Sequence, residues 1–461
     1  MSSYYAYVRN SIFILFTSLF LSLLLPASLS FQISHTEAAP APIQEVQLTY
    51  PASSITLTMD KRLPLTAKLK QSEEVRVAYS SGNTKIARVN SNGVIIPISK
   101  GTTNIKVTVT TPGYKGTLSL PVSIKKSTSS AKPVYAAKKV KAAGKTFTVQ
   151  TVTLPKGMPV TAGLANGKVG ATQSLSSIVS KYQAQAGING TYFEAYGGVP
   201  DPYGMIISDG IIEHIGNSGT SIGFKWDGTA AMDTLRVRLR GTVKEDQGRS
   251  QNWYVYFVNR TPTKGKTSAV LYTPKRGTNV GFAYGTAVTV RNDKVMKVAK
   301  NSNASIPKDG YVLVFTGTEE KMAEKFKVGS YVDYNITFNN AAGKKIEWDD
   351  VHTAIGAGPR LVTNGKLSVN PTSEGFSSSK ILTDSGARSA IAIKKDGSLM
   401  LATVSGATMK QWGSIMLKLG AYQAMNMDGG ASSGLYVSGK AITSPGRLIS
   451  NGLVFGNSLV W

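Results

Sequence analysis

Between Met409 and Gly434 the hydrophobic period of the chain changes twice, and few folds accommodate that. Trp412, Ile415, Met416 and Leu419 recur at helical spacing, which predicts a buried helix from Met409 to Leu419. Gly420 stands where such a helix ends. Ala421 to Met427 then reads as a short buried strand. This leaves Asp428 at its C-terminal tip, followed by Gly429-Gly430-Ala431-Ser432-Ser433-Gly434. In mixed α/β sheets that tip is where ligands are met. A carboxylate, a glycine-rich turn and two hydroxyls make a candidate site. The plain alternative is a turn-capping aspartate.

None of the 461 residues is cysteine, so packing alone must hold the fold and no thiolate site is available. The length allows two or three domains. His35, His214 and His352 are the whole histidine inventory, which argues against zinc and thins the options for a Ser-His-Asp triad. No cofactor is expected. Calcium held by Asp428 and nearby carbonyls is a minor alternative, because the repeated acidic positions of a calcium loop are missing.

Arg9 precedes an uncharged run, Ser11 to Leu25, of signal-peptide length, and Pro26 breaks it. Residues 1–39 are therefore expected to be a signal peptide, cleaved after Ser30 or near Ala38-Ala39, with an uncleaved anchor as the alternative. The remainder is expected to be secreted or wall-associated in a Gram-positive-type bacterium, with no membrane span after signal removal. The net charge of +26 attracts polyanions, so an anionic phosphorylated glycan or wall polymer is the expected partner. The bland reading is a solvated surface. Nucleic acid is not expected, since no recognition helix or aromatic-basic platform stands out.

Residues 45–125 form a run of short alternating strands, the pattern of a β-sandwich. Within it, Leu63-Pro64-Leu65-Thr66-Ala67, Val77-Ala78-Tyr79-Ser80-Ser81-Gly82-Asn83, Asn92-Gly93-Val94-Ile95 and Gly101-Thr102-Thr103-Asn104-Ile105 resemble a group-2 bacterial immunoglobulin-like domain. Residues 126–147, rich in Ser, Lys and Ala, read as a basic linker. Residues 148–461 read as one large mixed α/β (α+β) region. It is expected to hold a helix at Ser174–Ala184, a strand carrying Asn189, a strand-rich middle from Ser221 to Phe338, and a hairpin about Lys395-Asp396-Gly397.

Three segments of this region carry a second resemblance. The first is Asn189-Gly190-Thr191-Tyr192-Phe193 with Tyr203-Gly204-Met205-Ile206. The second is Ile355-Gly356-Ala357-Gly358-Pro359-Arg360, and the third runs from Ala387-Arg388-Ser389 to the Asp428 turn and Arg447. Together they resemble the phosphodiester glycosidase family. The fold class expected is thus multidomain: an all-β immunoglobulin-like sandwich, then a mixed α/β phosphodiester glycosidase domain. The function implied is hydrolysis of a sugar-1-phosphodiester in a wall or exopolysaccharide glycan. A non-catalytic wall- or exopolysaccharide-binding protein is the alternative.

Ordinary glycoside hydrolysis uses two carboxyl groups. A departing phosphate monoester, with a second pKa of about 6, needs little protonation. Cations and hydrogen-bond donors should then matter more than a strong acid. On this reading Asp428 is the essential carboxylate. Arg388 is the first choice for the phosphate and Arg447 the second, because the guanidinium fork meets phosphate oxygens in pairs. Asn189 orients the site or bonds the sugar. Ser432, Ser433 and the Gly429 and Gly430 amides hold phosphate, Gly358 allows tight backbone, and Glu194 is a candidate second carboxylate. Gly430-Ala431-Ser432-Ser433-Gly434 also matches G-x-S-x-G, but that elbow needs a following helix and a later histidine. Here Leu435-Tyr436-Val437 reads as strand, and no histidine follows His352.

Overall fold

The computed structural model describes residues 27–31, 46–50, 54–58, 63–69, 76–90, 93–111, 114–125, 132–245, 248, 250–348, 350–457 and 459. The apolar run Ser11–Leu25, expected to be the signal-peptide core, lies outside them. Two compact units are present, Met1–Ser130 and Ala131–Trp461. Among the described residues no helix is long and apolar enough to cross a membrane.

In the first unit the described residues are strands and turns. Gly101–Thr111 and Tyr114–Lys125 form a long antiparallel hairpin. Ile55–Thr58 joins one side of the hairpin in parallel, and Arg76–Ser81 joins the other antiparallel. A second small sheet runs Leu63–Pro64, Val94–Pro97, Ala87–Val89. Alternate residues face inward, as the period-two pattern requires, and Ile55, Ile95, Ile105, Val107, Leu120, Val122 and Ile124 form the core. A third sheet pairs Ala27–Phe31, from the segment read as signal peptide, with Val46–Tyr50.

The second unit departs from expectation at its start. Residues 126–147 were read as a linker, yet Val134–Ala142 is a strand, paired antiparallel with Lys145–Leu154. It is the edge of a seven-stranded sheet, so Lys138, Lys139 and Lys141 point to solvent along the open side. Charge on an edge strand blocks pairing with other chains, and the same lysines make the strand look like a linker. Of the described residues 51% are strand and 11% helix, and the helices Leu175–Lys181 and Met409–Lys418 each cross over between two parallel strands that flank a third.

From its edge the seven-stranded sheet continues through Lys145–Leu154, Leu399–Ala407, Gly386–Lys394, Ala421–Asn426, Arg360–Thr363 and Lys366–Leu367. One face is covered by the helix Met409–Lys418, which buries Met409, Trp412, Ile415 and Met416. Thr408 and Gln411 close its first turn as a capping box. The other face packs against a five-stranded sheet ordered Val160–Leu164, Asn451–Phe455, Ala186–Asn189, Leu435–Val437, Lys440–Thr443. The helix Leu175–Lys181 covers the far side of that sheet with Leu175, Ile178 and Val179. An eight-stranded sheet from Leu235 to Asn340 forms a separate core around Trp253, Phe315 and Phe326.

Candidate functional site

Asp428 lies where the seven- and five-stranded sheets meet. Its strand ends at Asn426, and the Met427 amide donates to Ser389 O at 2.9 Å, still inside the first sheet. The next amide, that of Asp428, donates across to Gly190 O at 3.0 Å, just past the end of a strand in the second. A methyl group at Gly190 would lie 1.9 Å from Asn451 Oδ1, so only glycine permits this approach. The Asp428 carboxyl is thus fixed by backbone from both layers.

The carboxyl stands at the floor of a pocket of about 790 Å³. Burial pushes its pKa up to about 6, against the Ser432 hydroxyl, the Gly429 amide and the Arg447 cation, which pull it down. The Gly429 amide donates to Asp428 Oδ1 at 2.8 Å. A 3-10 turn over Gly430–Ser432 follows, with the Ser432 and Ser433 amides donating back to Gly429 O and Gly430 O. The expected glycine nest is therefore mostly spent on the turn itself, leaving the Gly430 and Ala431 amides. Ser432 lines the pocket, whereas the Ser433 hydroxyl is buried without a partner and does not. The strand Leu435–Val437 after the turn removes the nucleophile-elbow reading.

Arg388 lines the same pocket but is only 3% exposed. Its Nε donates to Ala407 O at 2.9 Å, and its Nη2 donates to Lys380 O at 2.8 Å and Asp384 O at 2.6 Å. Three carbonyls hold the guanidinium in the wall, so Nη1 alone remains for a ligand. Arg447 is freer. Its Nη2 reaches the Tyr196 hydroxyl at 3.3 Å, and it is the cation whose charge Asp428 feels. Arg447 faces the pocket with its fork largely free, whereas Arg388 chiefly builds the wall and offers Nη1.

Other expected residues act at one remove. Asn189 is 1% exposed, and its amide nitrogen donates to Asp428 O at 2.7 Å while its Oδ1 accepts from the Gly434 amide at 2.9 Å. It bridges the two ends of the turn and does not line the pocket. Gly358 has φ +80, and its carbonyl accepts from the Tyr192 hydroxyl at 2.8 Å behind the wall. Glu194 does not line the pocket either. Its carboxylate accepts from the Tyr203 hydroxyl at 2.8 Å and the Tyr196 amide at 3.1 Å, and those bonds hold its pKa below the usual range. No second carboxylate is brought to Asp428 from that position. His214 and His352 are buried away from the pocket lining.

The remaining lining had no site role in the sequence reading, although Tyr192, Phe193 and Tyr203 stand in segments that carry the family resemblance. Tyr192, Phe193, Tyr196, Tyr203 and Phe376 supply aromatic walls, and Arg260 and Lys380 add two cations. Asp384 is the other carboxylate of the lining, and it accepts from the Ser379 and Thr383 hydroxyls. Two carboxylates thus face four cations. Among the described residues no three His, Cys, Asp or Glu side chains gather as a metal would require.

Residues 284–456 match the family model of the phosphodiester glycosidases. The phosphodiester glycosidase match contains Gly358, Lys380, Arg388, Asp428 to Ser433 and Arg447, and stops short of Asn189, Tyr192, Tyr196 and Arg260. No curated protein gives a significant match. Among solved structures, the chain resembles a hypothetical protein from Synechocystis with a TM-score of 0.62 and 20% identity, over 93% of this chain and 81% of that one. It also resembles a putative exported protein from Burkholderia pseudomallei, with a TM-score of 0.56 and 16% identity, over 82% and 96% of the two chains. These two share the fold. A zebrafish N-acetylglucosamine-1-phosphodiester alpha-N-acetylglucosaminidase catalytic domain aligns over 72% of this chain and 85% of its own, at 12% identity and a TM-score of 0.39.

Proposed function

We propose that the protein hydrolyses the bond between a sugar and the phosphate of a phosphodiester in an extracellular glycan. The observation that carries this reading is the pairing of one desolvated carboxyl, Asp428, with an excess of cations in an aromatic-walled pocket. Sugars stack on aromatic rings, and a phosphodiester needs cations. The phosphodiester glycosidase model over residues 284–456 supports the same reaction class. In the proposed reaction the bond from the anomeric carbon to the phosphate oxygen breaks and its electron pair leaves with the phosphate. Water supplies the new hydroxyl of the sugar and releases a proton to the medium. Arg447, Arg388 Nη1 and the Gly430 and Ala431 amides meet the charge growing on the phosphate. The Asp428 carboxylate stabilises the positive charge growing on the sugar. Because the departing phosphate is already a weak base, a strong general acid is dispensable.

The net charge of +26 and the apolar run Ser11–Leu25 support secretion and an anionic wall polymer or exopolysaccharide as the substrate-bearing partner. The amino-terminal all-β unit, read as an immunoglobulin-like module, would serve as a spacer or adhesion unit. The test is incubation of the mature protein with a p-nitrophenyl or nucleotide-type sugar-1-phosphodiester, followed by assay of free sugar. Release that disappears in Asp428→Asn, with folding retained, supports the enzyme. Wall binding without turnover across a panel of diesters would establish the non-catalytic alternative instead.

A further inference from the structure

At the pocket mouth Tyr196 is 78% exposed, on a loop that continues into Gly197 and Gly198. Solvent exposure of that degree is unusual for a tyrosine held in place, and here two cations hold it. The Arg447 guanidinium lies 5.0 Å from the ring centroid and Lys380 Nζ lies 5.6 Å from it. Arg447 Nη2 also donates to the phenol oxygen at 3.3 Å. The two cations pull the phenol pKa down, Arg447 most strongly and Lys380 next. Neither is ion-paired with a carboxylate among the described residues. The phenol oxygen therefore occupies the place an anion would take between two cations that no salt bridge engages.

This place is separate from the floor. Arg388 is buried in the wall beside Asp428, whereas Lys380 and Tyr196 are exposed. Arg447 spans the two levels, since its charge reaches Asp428 and its fork reaches Tyr196. We propose that the mouth carries a second anion subsite, built from Lys380 and Arg447 around Tyr196, which takes a further phosphate of a substrate that is itself a poly-phosphodiester. The inference rests on the phosphodiester reading of the floor and adds the class of aglycone: one that carries a negative charge beyond the scissile phosphate. A polymer of sugar or polyol phosphates meets that description, and a neutral aglycone leaves the mouth pair unused.

The test compares two probes, a sugar-1-phosphodiester of glycerol and the same compound extended by one glycerol phosphate. Affinities are measured by calorimetry on Asp428→Asn protein, which removes turnover. At low salt the extended probe should bind about tenfold more tightly, and adding Lys380→Ala should cut that advantage to about twofold. Lys380→Ala replaces an exposed side chain and keeps the carbonyl that Arg388 uses, so the fold is retained. Raising the salt should shrink the advantage in the same direction. Equal affinity for the two probes, or an advantage that survives Lys380→Ala, overturns the subsite. Wild-type protein is assayed for sugar release from both probes in parallel. Absence of release from either defeats the proposed reaction, while the binding ratio still decides the subsite.

Discussion

Asn189 holds Asp428 by its backbone, donating to the aspartate carbonyl at 2.7 Å and leaving the carboxyl free to face the pocket. The same side chain accepts from the Gly434 amide, so one buried amide fixes both ends of the turn. Asn189→Ala should therefore act on rate more than on substrate affinity. The expected loss is about 10–100-fold in kcat from misplacement of the carboxyl, with KM changed less than threefold. Thermal unfolding should show a cost of about 1–3 kcal/mol for the orphaned carbonyl and amide. A variant whose KM rises while kcat holds would place Asn189 on the substrate instead.

Asp428 also sets a trade between stability and function. Its folded-state pKa of about 6 lies above the unfolded value, so the folded protein binds the proton more tightly between about pH 4 and 6, and stability falls as pH rises through that window. Asp428→Asn should stabilise the fold by about 1–2 kcal/mol at pH 7.5, after allowance for solvent at the pocket floor. The gain should vanish near pH 4. Denaturant titrations at both pH values check this, and an equal gain at both would contradict the burial argument.

The same ionisation should appear in the rate. If Asp428 works as a carboxylate, kcat/KM for a sugar-1-phosphodiester falls tenfold per pH unit on the acid side of about pH 6. A profile that instead falls above pH 6 would make Asp428 the proton donor.

The two arginines should separate cleanly. Arg388→Ala orphans one buried carbonyl and releases two partly buried ones, and should cost about 1–3 kcal/mol of stability, seen as a lower Tm. Arg447→Ala should leave Tm nearly unchanged, because its contact is with an exposed tyrosine, and should lower kcat/KM about tenfold or more. Similar Tm losses in both variants would show Arg447 to be structural.

Two weaker candidates give opposite kinds of control. Glu194→Gln should keep activity within about twofold, since its partners are the Tyr203 hydroxyl and the Tyr196 amide. A loss of several hundredfold would restore it as the second carboxylate. Dialysis against a chelator should likewise leave turnover intact, and inactivation reversed by added calcium would assign Asp428 to a metal instead.

How far the site could be read from sequence depends on where each residue sits. Asp428 was legible because a helix, a C-capping glycine and a buried strand mark its position, and each leaves a periodic trace. Asn189 and Arg388 were visible as polar residues in apolar strands, but not their partners. Strand residues show which face they occupy, not which carbonyls lie within reach. Tyr196 and Lys380 left no trace, since an exposed loop and a four-residue helix have no period to break. The edge strand Val134–Ala142 was misread for a related reason: lysines that protect an open edge resemble those of a tether.

The strand Asn451–Phe455 lies between Val160–Leu164 and Ala186–Asn189 in its sheet, and it also receives the amides of Gly190 and Thr191. The backbone that seats Asp428 thus waits for a strand made after Asp428 itself. A growing chain can make the helix Leu175–Lys181 early, but Val160–Leu164 and Ala186–Asn189 are not joined until residue 451 arrives. Folding of this unit must therefore follow synthesis of Asn451–Phe455, and a polypeptide that stopped just before that strand would have every expected site residue from Asn189 to Ser433 and no site.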